Sequence, residues 1–265
     1  MMNESPANRL CVGILTLNEE RRIARCIESA SFADQIVVID SGSTDATRDI
    51  AASMGADVHL FPDWQGFAVQ RNRMLPLVKC EYFFFLDADE VITDELKQEI
   101  QQAVASGDNA AWKVYWDQVA FGKALSRMAK TAGGVKRLFR TDNILEFKGV
   151  VHEYAQLKDE SAPTRVFKGR LLHFSRDTVY ESLLKLAQYS QLGARRREQA
   201  GKKGGVLRGL GSAISNFVRF YVFRRGFMCG PQGFLFCLLV ALECFFRYAI
   251  LEYDPPQGAN AVVKR

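Results

Sequence analysis

The first hundred residues alternate between short apolar runs and stretches in which apolar residues recur at helical spacing. The apolar runs predict strands, and the intervening stretches predict helices. The predicted strands are residues 10–17, 35–40, 56–61 and 82–86, and the predicted helices are residues 19–31, 45–54 and 67–76. Strands that alternate with helices of this length indicate βαβ units and a parallel sheet.

The helix after the fourth strand has a clear beginning. Thr93 is a suitable N-cap, and Asp94 and Glu95 suit the positive end of the helix dipole. Leu96 and Ile100 then recur at the spacing of one helix face. The fourth strand therefore ends before residue 93.

Beyond about residue 106 the alternation gives way to strand-like segments separated by polar or glycine breaks. These segments are residues 110–117, 136–140, 144–151 and 164–175. We expect them to add antiparallel strands to the same sheet, before a helix over residues 178–198. The composition shifts at the sequence GKKGG, residues 201–205, which predicts a first domain over residues 1–200 and a helical C-terminal region over residues 201–265.

Composition excludes several classes of protein. A hydrophobic content of 48% with 25% charged residues is typical of a globular chain. The polar start, MMNESPANRL, has no apolar core and predicts no secretory signal, so a cytoplasmic protein is expected. Six cysteines without a C-x-x-C pair, and only three histidines, indicate neither a zinc cluster nor a disulfide framework.

Charge is unevenly distributed along the C-terminal third. Residues 193–225 contain nine Lys or Arg and the single acid Glu198, and in the apolar stretch 234–246 only Glu243 is not apolar. With Arg247 following, this stretch is shorter than the ~18 uninterrupted apolar residues of a spanning helix. Basic residues beside an apolar helix favour peripheral attachment to an anionic membrane surface. A packed C-terminal helix and a homo-oligomer interface remain open, and nucleic acid is the least favoured partner.

Carboxylates concentrate where the fourth strand ends. In FFFLDADEVIT, residues 83–93, an apolar run is followed by Asp87, Asp89 and Glu90. The first two strands also end in polar segments, residues 16–19 and 40–45, and ligands of open α/β sheets bind at this edge. Asp87 and Asp89 share a side of an extended chain, where they could hold a divalent cation. The alternative is a solvated strand end that caps the next helix.

Two common nucleotide-binding motifs are absent. No G-x-G-x-x-G follows the first strand and no G-K-[ST] is present. A dinucleotide fold and a phosphate loop are therefore disfavoured, and a nucleotide would instead be held by strand-end carboxylates and a metal.

Four segments in order now carry a family resemblance. They are TLNEE (16–20), VVIDSGSTDAT (37–47), QRN (70–72) and FLDADE (85–90). Together they resemble the inverting nucleotide-sugar glycosyltransferases of family two, which have the GT-A fold. The resemblance implies an α/β protein with a mixed, mostly parallel sheet flanked by helices, followed here by an amphipathic helical C-terminal extension. Three later segments resemble the branch that builds the lipopolysaccharide inner core: VVHEY (150–154), LLHFS (171–175) and KLAQYSQLGA (185–194).

The resemblance also implies roles for individual residues. Asp89 would bind Mg²⁺ or Mn²⁺, Asp87 would share the metal or contact the ribose, and His173 would be a third metal ligand, unless it is a core histidine. The nucleotide-binding residues would be Thr16, Asn18, Glu19, Asp40, Ser41, Arg71, Asn72, Asp87, Ala88 and Lys136. Many family members have a second aspartate where this chain has Ser41, which leaves open which group reads the base.

A sugar transfer also needs a group that takes a proton from the acceptor. By resemblance that base is Glu153, and His152 is the alternative. Lys136 and Arg137, with Lys130 and Arg140, are hypothesised to meet the diphosphate or an anionic acceptor, beside a mobile loop at Gly133 and Gly134. Two tryptophans, at positions 112 and 116, are candidates to flank the acceptor sugar, although core packing is expected for at least one.

The expected reaction is transfer of a hexose, in the first place glucose from UDP-glucose, to the lipopolysaccharide inner core. The acceptor would be a lipid-linked oligosaccharide at the cytoplasmic face of the inner membrane. Direct displacement would invert the anomeric centre. Two alternatives stay open: the same fold acting on a polyprenyl phosphate or a protein, and a non-catalytic sugar-nucleotide-binding membrane protein.

Overall fold

The computed structural model describes residues 9–126, 128, 134–149 and 153–254. The described strands are β1 (Leu10–Thr16), β2 (Gln35–Asp40), β3 (Asp57–Leu60), β4 (Tyr82–Asp87), β5 (Glu90–Ile92), β6 (Ala111–Ala120), β7 (Lys123–Ala124), β8 (Val135–Arg140), β9 (Ile144–Lys148), β10 (Tyr154–Leu157) and β11 (Thr164–Arg176). The described α-helices are α1 (Ile23–Ser29), α2 (Thr47–Ser53), α3 (Phe67–Met74), α4 (Asp94–Ser106), α5 (Val179–Gln199), α6 (Val206–Val218) and α7 (Gly230–Tyr253). The alternation predicted for the first hundred residues is confirmed.

A mixed sheet organises the N-terminal part, in the order β3-β2-β1-β4-β8-β6-β11-β5, with β7 paired to β6. Strands β3, β2, β1 and β4 run parallel. Beyond β4 the direction changes, because β8 pairs antiparallel with both β4 and β6. The predicted addition of antiparallel strands to a parallel sheet is therefore confirmed. Strands β9 and β10 instead pair with each other in a separate small sheet.

The core lies on both faces of this sheet. Every residue of β1 is buried, which agrees with a continuous apolar run rather than an alternating one. Leu10, Val12 and Ile14 pack in one apolar cluster, with helices α1 and α4. Cys11 and Leu15 face the other cluster, with α3. The sheet is thus covered by helices on either side, as the GT-A expectation requires.

Strand β5 was not predicted from the sequence. Its three residues follow Asp89 directly, and they pair antiparallel with residues 171–173 of β11. A strand this short has no measurable periodicity. Its formation depends on β11, which is some 80 positions away in the chain, so only the tertiary structure creates it.

Helix α4 is packed closely against β11 at Gly169. A Cβ atom at this position would lie 2.5 Å from both the backbone nitrogen and the Cα of Leu96. Replacing Gly169 with alanine is therefore expected to destabilise the protein by about 1–3 kcal/mol, because the helix backbone cannot move aside without strain. Urea denaturation of Gly169→Ala, compared with Gly211→Ala, measures this effect.

Gly211 is the matched control because it lies within helix α6 and a Cβ there would meet nothing within 4 Å. Alanine at that position should be neutral or stabilising by about 0.5–1 kcal/mol. If both variants lost the same unfolding free energy, the close approach of Leu96 to Gly169 would not be the cause of the destabilisation.

The chain divides into two compact units. The first contains the described residues up to Asp117 and those from Gly134 to Phe174, and the second contains those from Gln118 to Met128 and from Ser175 to Asp254. This division falls within β6 and β11, ahead of the GKKGG segment at which the composition shifts. Helix α5 belongs to the second unit, where it packs against α7. A separate domain over residues 201–265 stays a prediction.

The second unit contains three long helices. Thr178 caps α5, as its hydroxyl accepts a hydrogen bond from the backbone of Glu181 at 3.1 Å. The helical stretch Gly226–Tyr253 is 28 residues long and apolar enough to cross a membrane by length and composition, a criterion that core helices also meet. The inference from sequence that this region is too short to span is therefore not supported. Within α7 the charges of Glu243 and Arg247 pair at 2.5 Å.

Candidate active site

Three polar strand ends meet at one edge of the sheet. Thr16 at the end of β1 lies opposite Asp40 of β2, and Leu15 lies opposite Asp87 of β4. The convergence predicted from the sequence is confirmed, because parallel strands bring their carboxyl ends to the same edge. This edge positions the groups described below.

Hydrogen bonds join the loops that follow β1 and β2. Asn18, at a φ of 55°, accepts a hydrogen bond from the backbone of Thr44 at 2.8 Å, and its own backbone donates to the Ser43 hydroxyl at 2.8 Å. The backbone of Glu19 donates to the Thr47 hydroxyl at 2.8 Å. Asparagine tolerates the left-handed region better than most residues. Asn18 and Glu19 therefore belong to a preorganised rim of the crevice.

Asp40 is fully buried beneath this rim. Its carboxylate accepts hydrogen bonds from the backbones of Gly42 and Ser43, at 3.0 and 2.8 Å, and from the Ser43 hydroxyl. Within the described residues the Thr16 hydroxyl is buried and has no hydrogen-bond partner. The observed role of Asp40 is to shape the loop, and direct contact of Asp40 or Thr16 with a nucleoside stays a prediction.

Three other residues expected at the nucleotide have structural contacts. The side chain of Asn72 donates to the backbone oxygen of Phe147 at 3.0 Å and accepts from its backbone nitrogen at 2.6 Å, which attaches α3 to β9. Ser41 accepts a hydrogen bond from Gln70 at 3.1 Å, and Ala88 is buried. Their contact with a nucleotide also stays a prediction.

Two arginines hold the carboxylate of Asp87. Arg71 Nη2 lies 3.3 Å from one oxygen and Arg137 Nη2 lies 3.2 Å from the other. Both guanidinium groups also lie near the ring of Phe85, at 4.3 and 4.4 Å from its centroid. Burial acts to raise the pKa of Asp87, but the charges of Arg137 and Arg71 outweigh it and lower that pKa to about 2. Asp87 is therefore ionised throughout the physiological range.

Glu90 contacts both the Arg137 side chain and the backbone of Asp87. It is buried, its Oε1 lies 2.7 Å from Arg137 Nη2, and its Oε2 accepts the backbone N–H of Asp87 at 3.0 Å. Burial raises the pKa of Glu90 to about 7 against the opposing charge of Arg137. Arg137 and Glu90 are thus a buried pair that positions the end of β4.

Arg71 also connects Asp87 with the predicted base. Its Nη1 lies 3.3 Å from Oε2 of Glu153, a side chain with 13% exposure. The other oxygen of that carboxylate, Oε1, has no hydrogen-bond partner within the described part of the chain. Oε1 is also buried. One oxygen of Glu153 is therefore held by Arg71 and the other is buried without a hydrogen bond to any described residue, and the role of Glu153 as the base stays a prediction. His152, the alternative base, lies outside the described residues.

Asp89 and His173 lie side by side. The Nε2 atom of His173 is 3.2 Å from Oδ2 of Asp89, and strand pairing places His173 opposite Glu90. Burial acts to lower the pKa of His173, but the hydrogen bond to Asp89 and the surrounding carboxylates raise it. The site therefore attracts positive charge.

This pair fits a divalent metal. Metal bonds of about 2.1 Å in octahedral geometry place adjacent ligands about 3 Å apart, as the Asp89 oxygen and His173 nitrogen are. Among the described residues no group of three or more His, Cys, Asp or Glu is placed to hold a metal ion. Mg²⁺ sites commonly combine one or two carboxylates with substrate phosphates, so the donor set fits a cation completed by a bound diphosphate.

The basic residues of β8 have different surroundings from those hypothesised. Arg137 is buried against Glu90, and Arg140 lies opposite Tyr82 and pairs with Asp142. Tyr82 begins β4, so Arg140 is at the opposite edge of the sheet from Asp87, about 17 Å away at 3.4 Å per residue. Because β8 runs antiparallel to β4, Arg140 is too far from Asp87 to contact a diphosphate bound there, and its contact with an anionic acceptor stays a prediction.

A pattern in β8 indicates the inward position of Arg137. Val135, Arg137 and Phe139 share one face of the strand, and two of the three are apolar, so the arginine faces the interior. Lys136 is half-buried on the other face, and its contact with the diphosphate stays a prediction. Lys130 and Gly133 lie outside the described residues.

The two tryptophans of β6 have different surroundings. Trp112 is buried and stacks on Phe167 at 6.3 Å, which confirms core packing for one of them. Trp116 is half-buried and lies edge-on to His173 at 6.3 Å. Trp116 also packs against the apolar core, and its contact with an acceptor sugar stays a prediction.

Comparison with known families decides the class of enzyme. The profile of glycosyl transferase family 2 matches residues 11–172, which contain every site residue described above except His173. The protein belongs to glycosyl transferase family 2. This family 2 glycosyltransferase is 28% identical over 251 residues to the lipopolysaccharide core biosynthesis glycosyltransferase LpsC of Rhizobium meliloti, with 92% of each chain covered. It is 29% identical over 263 residues to the uncharacterized glycosyltransferase RT0209 of Rickettsia typhi, covering 94% of this chain and 88% of that protein.

Solved structures that are similar to this chain include two complexes with UDP or a UDP-sugar. One is Staphylococcus aureus TarS residues 1–349 in complex with UDP-GlcNAc, at 15% identity and a TM-score of 0.47, covering 92% of this chain and 84% of that chain. The other is glucosyl-3-phosphoglycerate synthase of Mycobacterium tuberculosis in complex with Mn²⁺, UDP and glucosyl-3-phosphoglycerate. It has 18% identity and a TM-score of 0.45, and covers 75% of this chain and 82% of that chain.

Proposed function

We propose that this family 2 glycosyltransferase transfers a hexose, in the first place glucose from UDP-glucose, to a lipopolysaccharide inner-core oligosaccharide. The acceptor would be lipid-linked and would be met at the cytoplasmic face of the inner membrane, with the enzyme attached peripherally. The relative LpsC, named for lipopolysaccharide core biosynthesis and aligned over 92% of this chain, supports the acceptor class.

One observation carries the catalytic part of the proposal: Arg71 holds both Asp87 and Glu153, at 3.3 Å each. Asp87 lies two residues before Asp89, which is the predicted metal ligand. Glu153 is the predicted base. A single buried guanidinium group thus fixes the donor side of the site relative to the acceptor side. Such fixed geometry is what a displacement between two bound reactants needs.

The proposed chemistry is a single displacement. As the acceptor oxygen forms its bond to the anomeric carbon, the carboxylate of Glu153 takes the hydroxyl proton, and the bond from that carbon to the diphosphate oxygen breaks with its electron pair. An α-linked donor then gives a β-linked product. Asp89 and His173 would hold Mg²⁺ or Mn²⁺, which would stabilise the charge that develops on the departing diphosphate. Trp116 would support the acceptor.

The proposal is tested by nucleotide release from UDP-, GDP- and ADP-sugars with core lipopolysaccharide as acceptor. We expect release from UDP-glucose with Mn²⁺ or Mg²⁺, loss of release with chelator, and a decrease of about 100-fold or more in Asp89→Ala. Asp142→Ala is the matched control, because Asp142 pairs with Arg140 at the opposite edge of the sheet. Metal-dependent UDP binding without release from any donor would instead support a non-catalytic binder.

A further inference from the structure

Helix α6 has an apolar face that is exposed to solvent. The exposed fractions are 84% for Leu207, 63% for Ile214 and 79% for Phe223, which belongs to the π-helical turn Arg219–Phe223 after α6. Leu210, Val218 and Val222 are exposed as well. We call these six residues the α6 apolar face. Large apolar side chains normally face the interior, and contiguous exposed apolar patches mark interaction sites.

The spacing of these residues places most of them along one side of the helix. Positions 207, 210, 214 and 218 are three or four apart, which is the spacing of neighbours on a helix surface. Packing against α7 uses a different residue, Gly209, where a Cβ would lie 3.0 Å from the backbone oxygen of Phe245. Helix α6 therefore packs against α7 at a position other than the α6 apolar face, which is exposed to solvent.

Positive charge surrounds the α6 apolar face. From residue 199 to residue 242 the sequence contains no Asp or Glu, and its six basic residues all lie between positions 202 and 225. Lys202 and Lys203 precede the helix, Arg208 lies on it, and Arg219 and Arg225 follow it, all of them exposed. The remaining one is Arg224, which is half-buried over the ring of Phe220. A partner for this surface must have an apolar region that can bury these side chains, and it must carry negative charge.

The length of α6 decides how it can meet a lipid bilayer. Thirteen residues rise by only about 20 Å at 1.5 Å per residue, which is less than the ~30 Å hydrocarbon core. Helices with an apolar face and basic flanks lie in the interface, with the apolar side chains inserted below the headgroups.

We propose that the α6 apolar face inserts into the surface of an anionic bilayer, with the flanking basic residues on the lipid headgroups. Charge complementarity selects this occupant, because a second copy of the same surface would bring like charges together. The inference deepens the peripheral attachment proposed above and rests on that part alone. It identifies α6, rather than α7, as the element that holds the enzyme on the membrane.

Vesicle flotation of the full-length protein tests this inference. Wild type should float with vesicles that contain phosphatidylglycerol and much less with pure phosphatidylcholine. Leu207→Ser with Ile214→Ser should weaken partitioning by about tenfold for each residue. The triple variant Lys202→Gln, Lys203→Gln, Arg219→Gln should bind the anionic vesicles about 100-fold more weakly. Raising the salt concentration should likewise weaken the binding of wild type to these vesicles.

The matched control is Leu145→Ser with Val166→Ser. These two side chains are also about half exposed, at 51% and 54%, but lie on strands β9 and β11. The control variant should float as wild type does. Circular dichroism and the thermal midpoint of each variant confirm that it is folded.

Three outcomes would overturn the inference. Unchanged flotation of the α6 variants would place the contact elsewhere. A dimer in solution that becomes monomeric in Leu207→Ser with Ile214→Ser, with vesicle binding retained, would assign the face to a second copy. Resistance of all variants to alkaline extraction from membranes would assign the attachment to a spanning α7. The assay uses no sugar nucleotide, so metal-dependent UDP binding in the same preparations tests the proposed reaction separately.

Discussion

Replacing Glu153 by glutamine is expected to lower kcat/KM by about 100- to 10,000-fold, the usual contribution of a general base. Glutamine preserves the shape of the side chain and can still accept the hydrogen bond from Arg71, whose Nη1 lies 3.3 Å from Glu153 Oε2. It cannot take a proton from the acceptor hydroxyl. Steady-state kinetics with UDP-glucose and core oligosaccharide measure the decrease, and calorimetry should show UDP binding close to that of wild type.

A parallel variant, His152→Asn, distinguishes the two candidate bases. If Glu153 is the base, His152→Asn should retain far more activity than Glu153→Gln. The opposite order of activities would transfer the role to His152. A loss of UDP binding in Glu153→Gln would show that this residue acts on the donor side through Arg71 instead.

Replacing Arg137 by methionine is expected to destabilise the protein by about 3–5 kcal/mol, the cost of leaving buried charge without its partner. Arg137 contacts Glu90 at 2.7 Å and Asp87 at 3.2 Å, and both Arg137 and Glu90 are buried. Urea denaturation measures the change in unfolding free energy. Arg140→Met is the control, because the Arg140–Asp142 pair is exposed and should contribute less than about 1 kcal/mol.

A second substitution shows whether the cost comes from Glu90. In Arg137→Met with Glu90→Gln the uncompensated carboxylate is removed, so the double variant should recover about 1–3 kcal/mol relative to the sum of the single variants. Additive losses would mean that Arg137 stabilises the fold by packing on Phe85, whose ring centroid lies 4.4 Å away, and not by charge.

Much of the fold could be predicted from local pattern. The run Tyr82–Asp87 is apolar until its last residue, and Thr93 caps α4 by accepting a hydrogen bond from Leu96 at 3.3 Å. Strand β2 was predicted with the bounds that the structure shows, Gln35–Asp40. These features depend on side chains within a few positions of one another, which is the range that periodicity and capping describe.

The candidate site could be predicted only in part. The acids at the end of β4 could be predicted as site residues because they follow directly on an apolar run that forms a buried strand. Arg137 was hypothesised to meet the diphosphate or an anionic acceptor, and in the structure its guanidinium group pairs with Glu90 and Asp87. The contact of Arg71 with Glu153 joins residues 82 positions apart. No local pattern reports which of several arginines reaches a given carboxylate over such a separation.

The sequence by itself determined the alternation of β1 to β4 with helices, the polar edge where these strands end, and membership of a glycosyltransferase family. Each of these depends on the order and spacing of residues that are close together in the sequence. Only the tertiary structure decided that Asp87 is held between two arginines, that β5 pairs with β11, and that α6 keeps an apolar face towards solvent. Those outcomes depend on which distant surfaces pack together, and burial then sets the pKa values and the cost of each charge.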